Sequence, residues 1–190
     1  MPSKNRPVSS GMTQRRTLFL GVLVAFIFGL YLGHMLPGLL NPAQPKHTEQ
    51  THQDNSELRQ LQQAVTNNPN SVEAWNRLGH WYFDHESPVE AIKAYESSLR
   101  LKADDPDIIT DLGIMYRSLG RYEQSLDLFR KASGLDPKHE QSRFNQGIVL
   151  YFDLDRKAEA LETWKDLLRQ NPQYKGPKGQ SLTDWIRELS

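Results

Sequence analysis

Apolar side chains are laid out along this chain in two ways. Over residues 18–36 they are continuous: LFLGVLVAFIFGLYLGHML carries no Asp, Glu, Lys or Arg. As a helix this stretch rises roughly 28 Å, close to the thickness of a hydrocarbon core. From residue 56 onward apolar positions recur three and four apart instead, the spacing of amphipathic helices. Leu58, Leu61 and Val65 open this pattern, which stops at Asn68-Pro69. Leu182, Trp185, Ile186 and Leu189 close it, behind Ser181 and Asp184 at the spacing of a capping box. Between the two regimes residues 41–55 read NPAQPKHTEQTHQDN, with two prolines, no aliphatic residue beyond Ala43 and no period. Such a segment predicts a flexible tether reaching about 20 Å. The pattern therefore predicts a transmembrane anchor over 18–40, a tether over 41–55 and an all-α unit without strands over 56–190.

Charge gives the anchor a direction. Residues 1–17 carry Lys4, Arg6, Arg15 and Arg16 and no acid, whereas Lys46 is the one basic residue in the tether. By the positive-inside rule the N-terminus is cytoplasmic and residues 56–190 are extracytoplasmic, which in a bacterium means the periplasm. A cleaved signal peptide is the rival, but its apolar region is usually shorter, and LPGLLNPAQ after the helix offers no small-x-small cleavage site. Within the anchor Gly21, Ala25, Gly29 and Gly33 recur every four residues. Such a stripe of small side chains lets a second helix approach, so the anchor is a candidate for homodimerisation, although glycine is common in membrane helices anyway. Residues 54–190 hold 18 basic and 22 acidic side chains, and nothing in that balance suggests a nucleic-acid partner. The absence of cysteine excludes disulfides, zinc-cysteine sites, a lipobox anchor and C-x-x-C-H haem attachment.

Displaced by 34 residues, the sequence after the tether matches itself. Leu78-Gly79 falls on Leu112-Gly113, Tyr82 on Tyr116 and Tyr95 on Phe129. A third copy follows with Gly147, Ala160 and Trp164, the last two one residue late because of an insertion near 153–155. This period means a helical solenoid. Trp75-x-x-Leu78-Gly79-x-x-Tyr82 followed by Ala91-x-x-x-Tyr95 resembles the tetratricopeptide (TPR) family at the residues that define it. The second copy has Ile109 and Ser125 in place of the tryptophan and the alanine, and the third has Arg143 and Leu150 in place of the tryptophan and the tyrosine. The resemblance implies an α-solenoid of helical hairpins at 72–105, 106–139 and 140–173. A half-repeat over 56–69 covers one end and a helix over 181–190 caps the other. Gly79, Gly113 and Gly147 then lie where two helices cross, and Tyr95, Phe129 and Trp164 fill the space between hairpins.

No catalytic constellation emerges: there is no G-x-S-x-G, phosphate-binding G-x-x-x-x-G-K or H-E-x-x-H motif, so no enzyme activity, metal or cofactor is expected. Asp104, Asp105, Asp107, Asp153 and Asp155 sit at predicted helix boundaries, where Asp caps free backbone N–H groups. His80 and Asp84 are four apart and make a weak metal site, better explained by a mutual hydrogen bond or by solvation, with His85 at the helix end. What the resemblance implies is binding, because the first helix of each hairpin lines a concave groove. That assignment places Asn76, Arg77, His80, Phe83, Asp84, Thr110, Ile114, Arg117, Phe144, Ile148, Tyr151 and Phe152 at the groove. Asn76, His80, Thr110 and Ile114 stand where some relatives clamp a partner's C-terminal carboxylate with lysines and asparagines, so that clamp is missing here. Phe144, Ile148, Tyr151 and Phe152 form either an apolar interaction patch or, if the C-terminal helix folds back with Trp185, part of the core.

The expected function is that of a membrane-anchored adaptor holding a protein or peptide segment at the outer face of the membrane. The order of anchor, tether and repeats is similar to that of TPR accessory subunits of the haem lyase in c-type cytochrome maturation. The alternative is a scaffold that self-assembles or organises a membrane complex without a peptide client.

Overall fold

The computed structural model describes residues 46–189, with side chains from residue 54 on. The chain divides into two units, 1–52 and 53–190. The expected anchor over 18–40, with Gly21, Ala25, Gly29 and Gly33, lies outside the described residues. Among those that are described, no helix is long and apolar enough to cross a membrane.

The helices are α1 (Lys46–Asn67), α2 (Val72–Asp84), α3 (Pro88–Leu101), α4 (Pro106–Ser118), α5 (Tyr122–Leu135), α6 (Glu140–Ile148, continued by one π-helical turn, Val149–Asp153), α7 (Lys157–Gln170) and α8 (Leu182–Leu189). Local chemistry sets their starts. The Ser71 hydroxyl accepts from the Ala74 N–H at 3.1 Å, the Asp105 carboxylate from that of Ile108 at 3.3 Å, and His139 Nδ1 from that of Ser142 at 3.2 Å. Pro88 and Pro106 occupy first-turn positions, where the missing N–H costs nothing. The expected capping role thus holds for Asp105.

Helix α1 starts at Lys46, inside the segment expected to be a tether. Both prolines of that segment, Pro42 and Pro45, precede Lys46, so nothing from there to Asn55 interrupts a helix. Its C-terminal half is held by tertiary packing, and propagating a helix outward from a fixed turn is far easier than starting one. Leu58, Leu61 and Val65 pack against Trp75, Leu78, Trp81 and Ala94, so α1 covers the first hairpin as a half-repeat should.

Each hairpin closes where its glycine lets the helices meet. A Cβ on Gly79 would lie 2.5 Å from the Tyr95 ring, and one on Gly113 would lie 2.7 Å from the Phe129 ring. In the third hairpin Trp164 occupies the same place and donates its indole N–H to the Phe144 carbonyl at 3.0 Å. Tyr95, Phe129 and Trp164 are all fully buried. The one-residue insertion is absorbed by the π turn, in which the Leu154 N–H reaches back five residues to the Val149 carbonyl at 3.0 Å. The first helices therefore keep their 34-residue spacing, at 72, 106 and 140, while α7 starts one residue late.

After α7 the chain reverses through an isolated antiparallel bridge between Lys175 and Ser181 and enters α8, where the Ser181 hydroxyl accepts from the Asp184 N–H at 3.4 Å. Helix α8 packs on α7 as α4 packs on α3 and α6 on α5. It takes the place that the first helix of a further hairpin would take.

Candidate protein-binding surface

Helix α8 decides what remains of the expected groove. Its Trp185 ring sits 5.8 Å from that of Phe144, 5.1 Å from Trp164 and 5.7 Å from Phe152, measured between centroids. The Tyr151 hydroxyl donates to the Leu189 carbonyl at 3.0 Å. Phe144 is 5% exposed, and Ile148 and Tyr151 pack into the same cluster with Trp164, Leu167 and Leu182. Of the two readings open for this patch, the structure favours core: Phe144 is buried, and Ile148 and Tyr151, both half-buried, pack in the same cluster beneath α8. Phe152, half exposed at the edge, is the remainder of that patch.

Two residues of the first two hairpins are also withdrawn. Thr110 is fully buried, because helical spacing turns it toward the hairpin interior, and its hydroxyl has no hydrogen-bond partner. The Asn76 side-chain oxygen accepts from the buried Ser98 hydroxyl on α3. Two of the four carboxylate-clamp places are thus occupied by internal structure. Arg117 is not a free cation either: Nε and Nη2 donate to the two carboxylate oxygens of Asp153, the second at 3.2 Å. Asp153 was expected to cap a helix; the π turn carries it beside Arg117 instead. Arg77 is exposed but borders a separate depression against α1, with Ser56, Glu57, Gln60, Leu61 and Ala64.

The structure does bring Phe83, Asp84 and Ile114 together. With Glu86, Pro88, Met115 and Ser118 they line an open hollow of about 640 Å³ between the C-terminal halves of α2 and α4. Its floor is apolar, its rim carries two carboxylates, and no basic residue lines it. Sequence reasoning missed Glu86, Pro88 and Met115. One signal for Glu86 lies in the repeat register: it falls where the second hairpin has Gly120, and both close their helix with positive φ, 50° at Glu86 and 72° at Gly120.

One turn toward the start of the same helices lies a polar cluster. His80 Nδ1 is 3.0 Å from the Tyr95 hydroxyl and 3.5 Å from Asp111 Oδ2. Thus His80 pairs with Tyr95 of its own hairpin and with Asp111 of the next. His85 is a helix-end residue as expected, stacked on Trp81 with centroids 3.7 Å apart. Burial pushes the Asp111 carboxyl up to about 6, against the opposing pull of His80, while the nearby Asp107 carboxylate adds to the rise. Burial also raises Tyr95, and the Asp111 and Asp84 carboxylates add to it. On the flank, His139 Nε2 meets Asp107 Oδ1 at 2.9 Å and ties α6 to α4. Among the described residues, no group of three or more His, Cys, Asp or Glu could hold a metal ion.

A family model for the tetratricopeptide repeat matches residues 58–106 and 110–175, more than half of the chain. The chain belongs to the tetratricopeptide repeat family. As a TPR protein it is a protein-interaction module. It is similar to the photosystem I assembly protein Ycf3 of Acaryochloris marina, at 28% identity over 77 residues, 39% of this chain and 46% of that protein. The chain spans less than half the length of the curated relatives it matches. Among solved structures it is similar to MamA, with a TM-score of 0.61 and 17% identity over 71% of this chain and 78% of that one. It is also similar to the first TPR domain of Spaghetti (RPAP3) bound to the HSP90 peptide SRMEEVD, with a TM-score of 0.55 and 19% identity over 62% of this chain and 89% of that one. At these identities the structural likeness concerns the fold alone.

Proposed function

We propose that this protein is a membrane-anchored TPR adaptor that holds a segment of a partner protein at the extracytoplasmic face of the membrane. The observation that carries the reading is the hollow between α2 and α4, left open where α8 covers the third hairpin and lined by apolar side chains under a charged rim. The uncharged run over 18–36 behind a basic head supports the anchor and its orientation. Anchoring suits the mechanism, because a hollow this small holds a segment at around micromolar strength and confinement raises effective concentration without new contacts. The names of the relatives, an assembly protein and a domain holding an HSP90 peptide, are of the same kind. The likeness in architecture to haem-lyase accessory subunits makes envelope proteins such as c-type cytochromes the first clients to test.

The test is crosslinking in membranes followed by mass spectrometry of the captured proteins, comparing the full chain with the Phe83→Asp plus Ile114→Asp variant. Specific partners are expected to be lost with the double substitution while the helical circular dichroism signal is kept. An identical set of partners from both proteins overturns the assignment. Light scattering of the detergent-solubilised chain separates the scaffold alternative, which requires that the same substitutions break up an assembly of copies.

A further inference from the structure

The hollow has a sign as well as a shape. Asp84 and Glu86 stand on its rim, and Asp111 lies one turn away beside His80. The arginine that would offset them, Arg117, is engaged by Asp153, and Arg77 borders the depression on the α1 side with Glu57. Phe83, Pro88, Ile114 and Met115 supply the apolar surface. We propose that this hollow receives a segment of another protein in which an aliphatic or aromatic side chain is flanked by lysine or arginine. The proposal rests on the adaptor reading and deepens it by naming the chemistry of the partner.

Glu86 is the second carboxylate on the lining. It is held at φ 50°, and the matching corners of the other two hairpins hold Gly120 at φ 72° and Asp155 at φ 53°. An acidic side chain at this corner recurs in the third hairpin, but Glu86 lines the hollow and Asp155 does not. A cation arriving there meets two carboxylates with no competing basic side chain on the lining. The apolar floor beneath them excludes a partner that is merely basic.

The test is fluorescence anisotropy with the full chain in a non-ionic detergent and three labelled synthetic peptides. The first alternates leucine and lysine within a glycine-serine frame, the second has glutamate for every lysine, and the third has serine for every leucine. The first is expected to bind about tenfold or more tightly than either of the others, with an affinity that falls as salt is added. Asp84→Asn combined with Glu86→Gly is expected to weaken it about fivefold, while the melting temperature stays the same or rises. Equal binding of the glutamate peptide, or an unchanged affinity in the double variant, overturns the proposal. Failure of the broader reading looks different. If crosslinked partners are lost with Phe83→Asp plus Ile114→Asp but kept by the acid-neutralised variant, the adaptor stands and the cationic partner falls; if neither variant changes them, both fall.

Discussion

Glu86 and Asp111 each cost the fold something at the residue scale. A non-glycine residue in the left-handed region costs about 1 kcal/mol, which Gly120 avoids at the matching corner. Asp111 costs more, and its cost depends on pH. The folded protein keeps this carboxyl protonated up to about pH 6, whereas an unfolded chain releases the proton near its ordinary value of 3.8. Stability contributed through the group is therefore fully present below about pH 4 and lost as pH rises through about 6. Asp111→Asn preserves an acceptor for Tyr95 and removes the ionisation. Measured by urea unfolding, its stability relative to the parent should rise by about 1–3 kcal/mol between pH 4 and pH 7. A difference that stays flat across that window would place Asp111 in contact with water and undo the account of its burial.

Within single elements, what the sequence makes legible is what repeats. Register alone locates the hairpins, because a 34-residue period with glycine at the crossing admits little else. The crossing is tight enough to test: Gly79→Ala drives a methyl group into the Tyr95 ring, which is fully buried and also held at its hydroxyl by His80. The ring has little freedom to move aside, so the substitution should destabilise the protein by about 1–3 kcal/mol and lower the melting temperature by several degrees. A melting curve superimposable on the parent's would mean that the hairpin opens at no cost. Features that do not repeat were less legible. The insertion near 153–155 is visible as a late match, but nothing in it says that a π turn absorbs the extra residue or that Asp153 then meets Arg117. The start of α1 was hidden too, since a polar stretch without period reads as coil until a neighbouring turn is fixed by packing.

For the folded unit as a whole, the question is whether α8 is a cap or a displaceable occupant of the groove. Apolar pattern alone predicts that Phe144, Ile148 and Tyr151 want cover, and it cannot say whether the cover belongs to this chain or to another. Burial answers for the cap. Leu182 is fully buried with Trp164 and Leu167, and the Trp185 ring completes an aromatic stack with Phe144, Phe152 and Trp164. In a solenoid each repeat is stabilised by its neighbours, so losing a terminal element exposes the repeat beside it first. Ending the chain at residue 173 should therefore melt the third hairpin while leaving the first two folded. In hydrogen exchange, α6 and α7 are expected to lose protection, and α2, α3 and α4 to keep most of theirs. The hollow between α2 and α4 shares no lining residue with α8, so binding of the leucine-lysine peptide should survive the truncation. A displaceable occupant predicts the opposite pattern: a third hairpin that stays protected without α8, and a bare Phe144 surface that binds apolar peptides more tightly than the intact chain does.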